Sequence, residues 1–222
     1  MRAWLAWSSG KDSAWALHVL RREAQVDVTG LLTTLSGARC RVAMHDVRED
    51  LLRDQADAVG LPLHAVRLPD PCPNQEYEAA MRAALEAARG DGIAAVAFGD
   101  LFLEDIRRYR ETQMAGTGLS PLFPLWGRPT PALAREMLAG GLRAHLTCVD
   151  PGRLAASFAG REFDQAFLDA LPEGIDPCGE NGEFHTFAWD GPVFGRPVRV
   201  HTLGVTERGG FVYADLAAGE AA

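Results

Sequence analysis

Six consecutive residues near the amino end, Ser8-Ser9-Gly10-Lys11-Asp12-Ser13, gather three hydroxyls, a glycine, a lysine and a carboxylate. That set suits an anion, and phosphate above all. Gly10 lets the backbone come close to a ligand. Ser8, Ser9 and Ser13 add hydroxyl donors, and Lys11 adds a mobile positive charge. Five mostly apolar residues, Ala3 to Trp7, precede the hexapeptide, and Ala14, Leu17 and Leu20 follow at helical spacing. Strand, tight polar loop and helix is the layout of a phosphate cradle. The first helical turn has backbone N–H groups without internal partners, and the helix dipole adds positive potential there. A Ser-capped helix after a strand is the bland alternative.

Two further clusters carry chemistry. The first runs from Gly99-Asp100 through Glu104, Arg107, Arg108 and Glu111. It begins where an apolar run ends, and its charges fall three or four apart on one helix face. The arginines suit a phosphate or carboxylate, because a guanidinium fork binds two oxygens at once. Taken alone, the charge run reads rather as a solvated helix with internal ion pairs. Asp100, directly after a buried strand, reads as functional. The second is Asp176-Pro177-Cys178-Gly179-Glu180-Asn181-Gly182-Glu183-Phe184-His185-Thr186. On an extended segment Glu183 and His185 share a face. Its alternative is a polar turn leading into an edge strand.

The elements that must hold these residues follow from periodicity. Strands are expected at Ala3–Trp7, Asp27–Leu35, Leu63–Leu68, Ile93–Phe98, Ser120–Leu125 and Leu142–Val149. Helices are expected after residue 13 and over 45–59, 75–89, 104–115 and 131–139, with residues 36–44 as a loop. This alternation predicts an α/β fold with a doubly wound parallel sheet and right-handed crossovers. Thr33 and Thr34 end the second strand, where a doubly wound sheet would receive an adenine. After residue 150 the pattern changes. Two short helices, near 153–158 and 163–169, precede strands at 184–189, 198–206 and 211–216. The division expected is residues 1–150 for an ATP-binding domain and 151–222 for a smaller mixed α+β part on the substrate side, its tail frayed from Ala217.

The hexapeptide is not a Walker A loop, since Leu5 stands where the first glycine belongs and Asp12 follows the lysine. It resembles the PP-loop of the N-type ATP pyrophosphatases, Ser-Gly-Gly-x-Asp-Ser, with Ser9 at the second position. The three clusters together resemble one family of that group, the diphthine–ammonia ligases, whose Gly-Glu-Gly-Gly-Glu-x-x-Thr signature is similar to Gly179-Glu180-Asn181-Gly182-Glu183 with Thr186. Asp100 stands where that family's middle motif has Ala, Tyr109 where it has a second Arg, and His185 where an acid is common. The resemblance implies an adenine nucleotide alpha hydrolase-like (HUP) fold and ATP-dependent amidation. A carboxylate is adenylated, pyrophosphate leaves, and ammonia displaces AMP. It implies ATP as cofactor, held by Ser8 to Ser13 with Thr33 and Thr34. Mg²⁺ is expected on Asp12 or Asp100. Lys11 would neutralise the departing pyrophosphate, Arg107 would clamp the acceptor carboxylate or the α phosphate, and Glu180 and Glu183 would orient the amine or take its proton. The acceptor is diphthine on an elongation factor or a small metabolite.

Composition bounds the rest. The 222 residues, 47% hydrophobic, suffice for a real core. A net charge of −8 argues against a broad nucleic-acid surface. No apolar run reaches the roughly 18 residues of a membrane span, and the amino end lacks a signal-peptide pattern. The four cysteines form no C-x-x-C, so reduced thiols and a cytoplasmic location are expected. A homodimer is left open. Rival readings are an RNA-modifying PP-loop enzyme and a nucleotide-binding module without turnover.

Overall fold

A computed structural model describes residues 1–37 and 40–219. The chain forms two sheets. The first contains β1 (Arg2–Ala6), β2 (Asp27–Ser36), β3 (Arg41–Val42), β4 (Leu63–Leu68), β5 (Ala95–Ala97) and β6 (Ser120–Leu122). Its path is β3-β2-β1-β5-β6, with β4 also paired to β2. All pairings are parallel except the short β2–β3 hairpin. The chain leaves β1 toward β2 and β4 and returns to its other side with β5 and β6. The strand order therefore reverses at β1, which opens a crevice at the carboxyl ends of β1 and β5.

Alternation along β1 sends its residues to opposite faces. Leu5 and Trp7 join a large core with α1 (Lys11–Arg22), α2 (Glu49–Val59) and α5 (Thr130–Ala139). Trp4 joins a smaller core with α3 (Asn74–Gly90) and α4 (Glu104–Met114). Helices on both faces make the sheet doubly wound, as the alternating pattern predicts.

The second sheet has the order β8-β7-β10-β9, built from β7 (Arg143–Val149), β8 (Phe184–Asp190), β9 (Val200–Arg208) and β10 (Phe211–Ala218), and every pairing is antiparallel. A 3₁₀ turn (Ala156–Phe158) and α6 (Gln165–Asp169) connect β7 to β8. The strand expected at Leu142–Val149 therefore forms, but not in the parallel sheet. It lies before residue 150 yet pairs with β8 and β10. Its alternation, with Arg143, His145 and Thr147 between Leu142, Ala144, Leu146 and Cys148, suits an antiparallel sheet, but its partners lie far along the chain. The tail also departs from expectation: Ala217 and Ala218 pair with His201 and Val200 inside β10, and residues 220–222 lie outside the described residues.

Two other boundaries differ. The helix expected from His45 begins at Glu49, and the expected loop contains β3. Met44 and Asp46 take positive φ angles of 60° and 53°, and the N–H groups of Val42 and Asp46 donate to Val47 and Val42 carbonyls, both at 2.9 Å. This tight turn, made without glycine, cannot be read from residue types. It keeps His45 out of the helix and turns it toward the crevice.

Candidate functional site

The loop after β1 enters α1 at Lys11 with Gly10 as its cap residue. Gly10 is needed there: a Cβ would stand 2.7 Å from His45 Cε1. Gly99, at the end of the strand expected at 93–98, lies against the same helix start. A Cβ on it would sit 3.1 Å from the Asp12 carbonyl carbon and 3.2 Å from the Ser13 nitrogen. The two bare positions thus let His45 and the Gly99 backbone pack closely against the first turn of α1, where the first intrahelical bond is Ala14 N–H to Gly10 O at 3.1 Å.

Ser9 holds a φ of 69°, a left-handed conformation that glycine adopts more readily. Its side chain is fully buried and its hydroxyl has no hydrogen-bond partner. Ser9→Gly is therefore expected to raise stability by about 1 kcal/mol. Relief of the strained φ and of the orphan hydroxyl outweighs the added entropy of the unfolded chain. A rise in the thermal unfolding midpoint checks this; a fall would mean that the hydroxyl is satisfied.

The crevice is a cavity of about 360 Å³. Its wall includes Ser8, Lys11, Asp12, Ser13, Thr33, Thr34, Asp100 and Glu180, together with Arg110 and His185. Residues 175 positions apart therefore meet. The Lys11 N–H donates to Thr186 Oγ1 at 3.1 Å, and its Nζ donates to Asp12 Oδ2 at 2.9 Å and to the Cys178 carbonyl. Only 2% of Lys11 is exposed. Burial opposes its charge, but Asp12, with Glu180 nearby, outweighs that and holds its pKa above the ordinary lysine value. Glu180 accepts the Leu101 N–H at 2.7 Å. Burial, with Asp12 and Asp100 nearby, pushes the Glu180 carboxyl up to about 7. Burial also raises the Asp100 carboxyl, against the pull of Arg110.

Not every expected residue reaches the cavity wall. Arg107 lies outside it: its Nε donates to Glu111 at 2.8 Å, and its guanidinium stacks over Phe123 and Trp126 at 4.8 and 4.7 Å. Arg110 occupies the wall instead, 3.5 Å from Asp100. Glu183 is buried behind the wall. Its Oε1 accepts the Asp176 N–H at 3.2 Å and Asn181 Nδ2 at 3.1 Å, so it fixes the turn that presents Glu180. Thr33 spends its hydroxyl on the Trp7 carbonyl at 2.6 Å, which ties the end of β2 to the start of the loop. Gly10 and Ser9 shape the loop from beneath.

Gln55 went unseen by sequence reading. It is fully buried in α2, where Nε2 donates to Ser9 O at 2.9 Å and Ala188 O at 2.5 Å, and Oε1 accepts from Trp7 Nε1 at 2.9 Å. The signal was there: a lone amide midway between Leu51 and Val59 on the apolar i, i+4 row. His45 and His185 are a further pair, with ring centres 4.7 Å apart. Burial drives them down to about 4 and about 3, so both are neutral.

An anion lodged at this helix start would meet free N–H groups, two serine hydroxyls and a buried ammonium within one enclosure. The chain is also similar to known proteins. The family model described as diphthamide synthase N-terminal domain matches residues 1–120, and that of the diphthamide synthase C-terminal domain matches residues 130–213. A diphthine–ammonia ligase of Danio rerio is 33% identical over 165 residues, covering 64% of this chain and 62% of the relative. The protein of that name from Rattus norvegicus is 34% identical over 107 residues, 45% of this chain and 40% of its own. That from Mus musculus is 29% identical over 163 residues, 65% and 60% respectively. The chain thus spans less than two thirds of the length of these relatives.

Proposed function

The chain belongs to the diphthamide synthase family, and from that premise we propose that it is an ATP-dependent ligase that amidates a carboxylate. The observation that carries this reading is the enclosure of Lys11. The residue at the first turn of a phosphate-binding helix is sealed by the segment that carries Glu180. In the proposed reaction a carboxylate oxygen attacks the α phosphorus of ATP and pyrophosphate departs. Ammonia then attacks the acyl carbon, AMP leaves, and one proton is lost.

Ser8, Ser13 and the first-turn N–H groups take the β and γ phosphates, with Lys11 against the charge that grows on pyrophosphate. Thr33 and Thr34 lie at the adenine end. The parallel-sheet part binds ATP and the antiparallel part supplies the substrate side. Mg²⁺ fits the donors present. Asp12 Oδ1 and Asp100 Oδ2 are buried atoms of wall residues without hydrogen-bond partners. Among the described residues no three His, Cys, Asp or Glu side chains gather as a metal cluster. Magnesium commonly takes one or two carboxylates and completes its shell with waters and phosphate. When bound it would offset charge between phosphate oxygens.

Glu180 takes the proton that ammonium must lose. The Glu180 carboxyl ionises near pH 7, so the rate is expected to rise with pH through that value. Glu180→Gln should remove this rise and leave the shallower one set by ammonium itself; an unchanged profile would free Glu180 of the role. The same shift opposes stability. Glu180 is harder to ionise when folded, so its destabilising contribution grows as pH rises from its ordinary 4.5 to about 7.

Sulfur transfer to RNA fits less well. Burial and three neighbouring carboxylates raise the Cys178 pKa and keep it a thiol, not a nucleophile. Cys40, Cys72, Cys148 and Cys178 are all free, in keeping with a cytoplasmic location. No helix among the described residues is long and apolar enough to cross a membrane. The acceptor is diphthine on an elongation factor or the carboxylate of a small metabolite. Incubation with ATP, Mg²⁺ and ammonium against a panel holding both kinds of acceptor tests the reading. AMP should appear with one of them, whereas ADP would place the cleavage at the wrong bond.

A further inference from the structure

The wall of the cavity holds two permanent cations, Lys11 and Arg110. Lys11 is already committed to Asp12 and to the Cys178 carbonyl. Arg110 is not. Its Nε is buried without a hydrogen-bond partner, and so is Asp100 Oδ2, which faces it at 3.5 Å. An arginine nitrogen in that state is unusual, because buried donors are nearly always satisfied. Its plane is fixed from one side by Phe98, 5.0 Å from the guanidinium carbon. Tyr77 and Met81 line the same cavity.

We propose that Arg110 receives the carboxylate of the acceptor and that Tyr77, Met81 and Phe98 enclose an apolar stem beside it. The proposal rests on the ligase reading above and names the substrate class of that same cavity: a carboxylic acid borne on an apolar chain or ring. Charge balance supports it. Asp12, Asp100 and Glu180 already face the cavity, and a triphosphate adds several more negative charges. A second anion can approach only where a cation remains with open donors. A guanidinium offers two parallel N–H groups to the two oxygens of a carboxylate, a match an ammonium cannot make. Arg107, on the same helix, lies off the cavity wall and pairs with Glu111.

The test is a titration of the whole chain, saturated with α,β-methylene-ATP and Mg²⁺, with 3-phenylpropionate and with its amide. Wild type should bind the acid at least tenfold more tightly than the amide. Arg110→Met should weaken the acid at least tenfold, bring it level with the amide, and leave affinity for the nucleotide analogue within about twofold. Arg110→Lys keeps the charge and most of the stem, so it carries the test if the methionine variant does not fold; a three- to tenfold loss is expected. Arg108→Met removes an exposed charge from the same helix and should change neither affinity. Equal binding of acid and amide by wild type would overturn the proposal. So would an Arg110→Met protein that loses the nucleotide as much as the acid, since Arg110 would then be a phosphate ligand. Failure of the ligase reading shows separately, as an analogue that does not bind wild type; titration of the acid alone then still decides the role of Arg110.

Discussion

Replacement of Lys11 by methionine is expected to lower AMP release from ATP by about 10²–10³-fold, the usual cost of removing one preorganised donor from a developing anion. Lys11 is prepared for that task by its position. The helix start supplies N–H groups on one side of it. The second part of the chain closes over the other side through Thr186 and the Cys178 carbonyl. Water has little access, so the charge acts in a medium where electrostatic terms are large. Methionine keeps an unbranched stem among the rings of Phe163 and Phe184, which lie 5.7 and 5.3 Å from Nζ. The fold should therefore survive. Asp12 loses its partner, and because burial already pushes the Asp12 carboxyl up, protonation relieves the vacancy. Stability lost in the variant should accordingly be recovered as pH falls. Arginine at this position should fare no better, because its larger planar head does not fit the buried enclosure that holds the compact ammonium. Stopped assays that follow pyrophosphate and AMP together check the result. Unchanged release would remove the loop from the reaction.

How far the residues alone led can be seen by comparing α1 with β7. The start of α1 was legible because local features agree: an apolar run, small polar residues, then helical spacing, all close together along the chain. Local agreement of that kind is what makes a segment readable. The doubly wound sheet followed from repeated alternation of strand and helix. β7 shows the limit. Its alternating pattern marks a strand, but its place in the antiparallel sheet depends on pairing with β8 and β10, far along the chain. The acidic turn at 176–183 read correctly as an unusual cluster, yet the division of labour within it did not. Glu180 faces the cavity while Glu183, three residues on, turns back to hold the Asp176 N–H. On α4 Arg107 and Arg110 are one turn apart, and only tertiary neighbours decide which of them lines the cavity. His45 reached the cavity through a turn built on two non-glycine residues at positive φ, a conformation residue types disfavour.

Gln55→Leu is expected to cost about 3 kcal/mol of stability, a fall of roughly 10 °C in the unfolding midpoint for a chain of this size. The side chain joins three pieces of backbone and indole that nothing else joins in the same way. The Trp7 indole N–H, 1% exposed as a residue, would lose its acceptor, and the Ala188 carbonyl would lose a donor. Ser9 O would retain the Ala188 N–H at 2.9 Å, so the loop would loosen without detaching from β8. Leucine fills similar volume, which isolates the polar loss from a cavity term. Gln55→Glu is the sharper variant. It is nearly isosteric, yet a carboxylate there would face the carbonyl oxygens of Ser9 and Ala188 with no proton to offer. Such a glutamate is harder to ionise folded than unfolded, so the variant should lose stability as pH rises above the ordinary carboxyl range and regain part of it when protonated. The leucine variant has no such titration. A pH-dependent loss in the glutamate protein beside a pH-independent loss in the leucine protein would identify the two amide donors as the clamp that holds Ser9 and, through it, the phosphate loop. Equal, pH-independent losses would reduce Gln55 to packing.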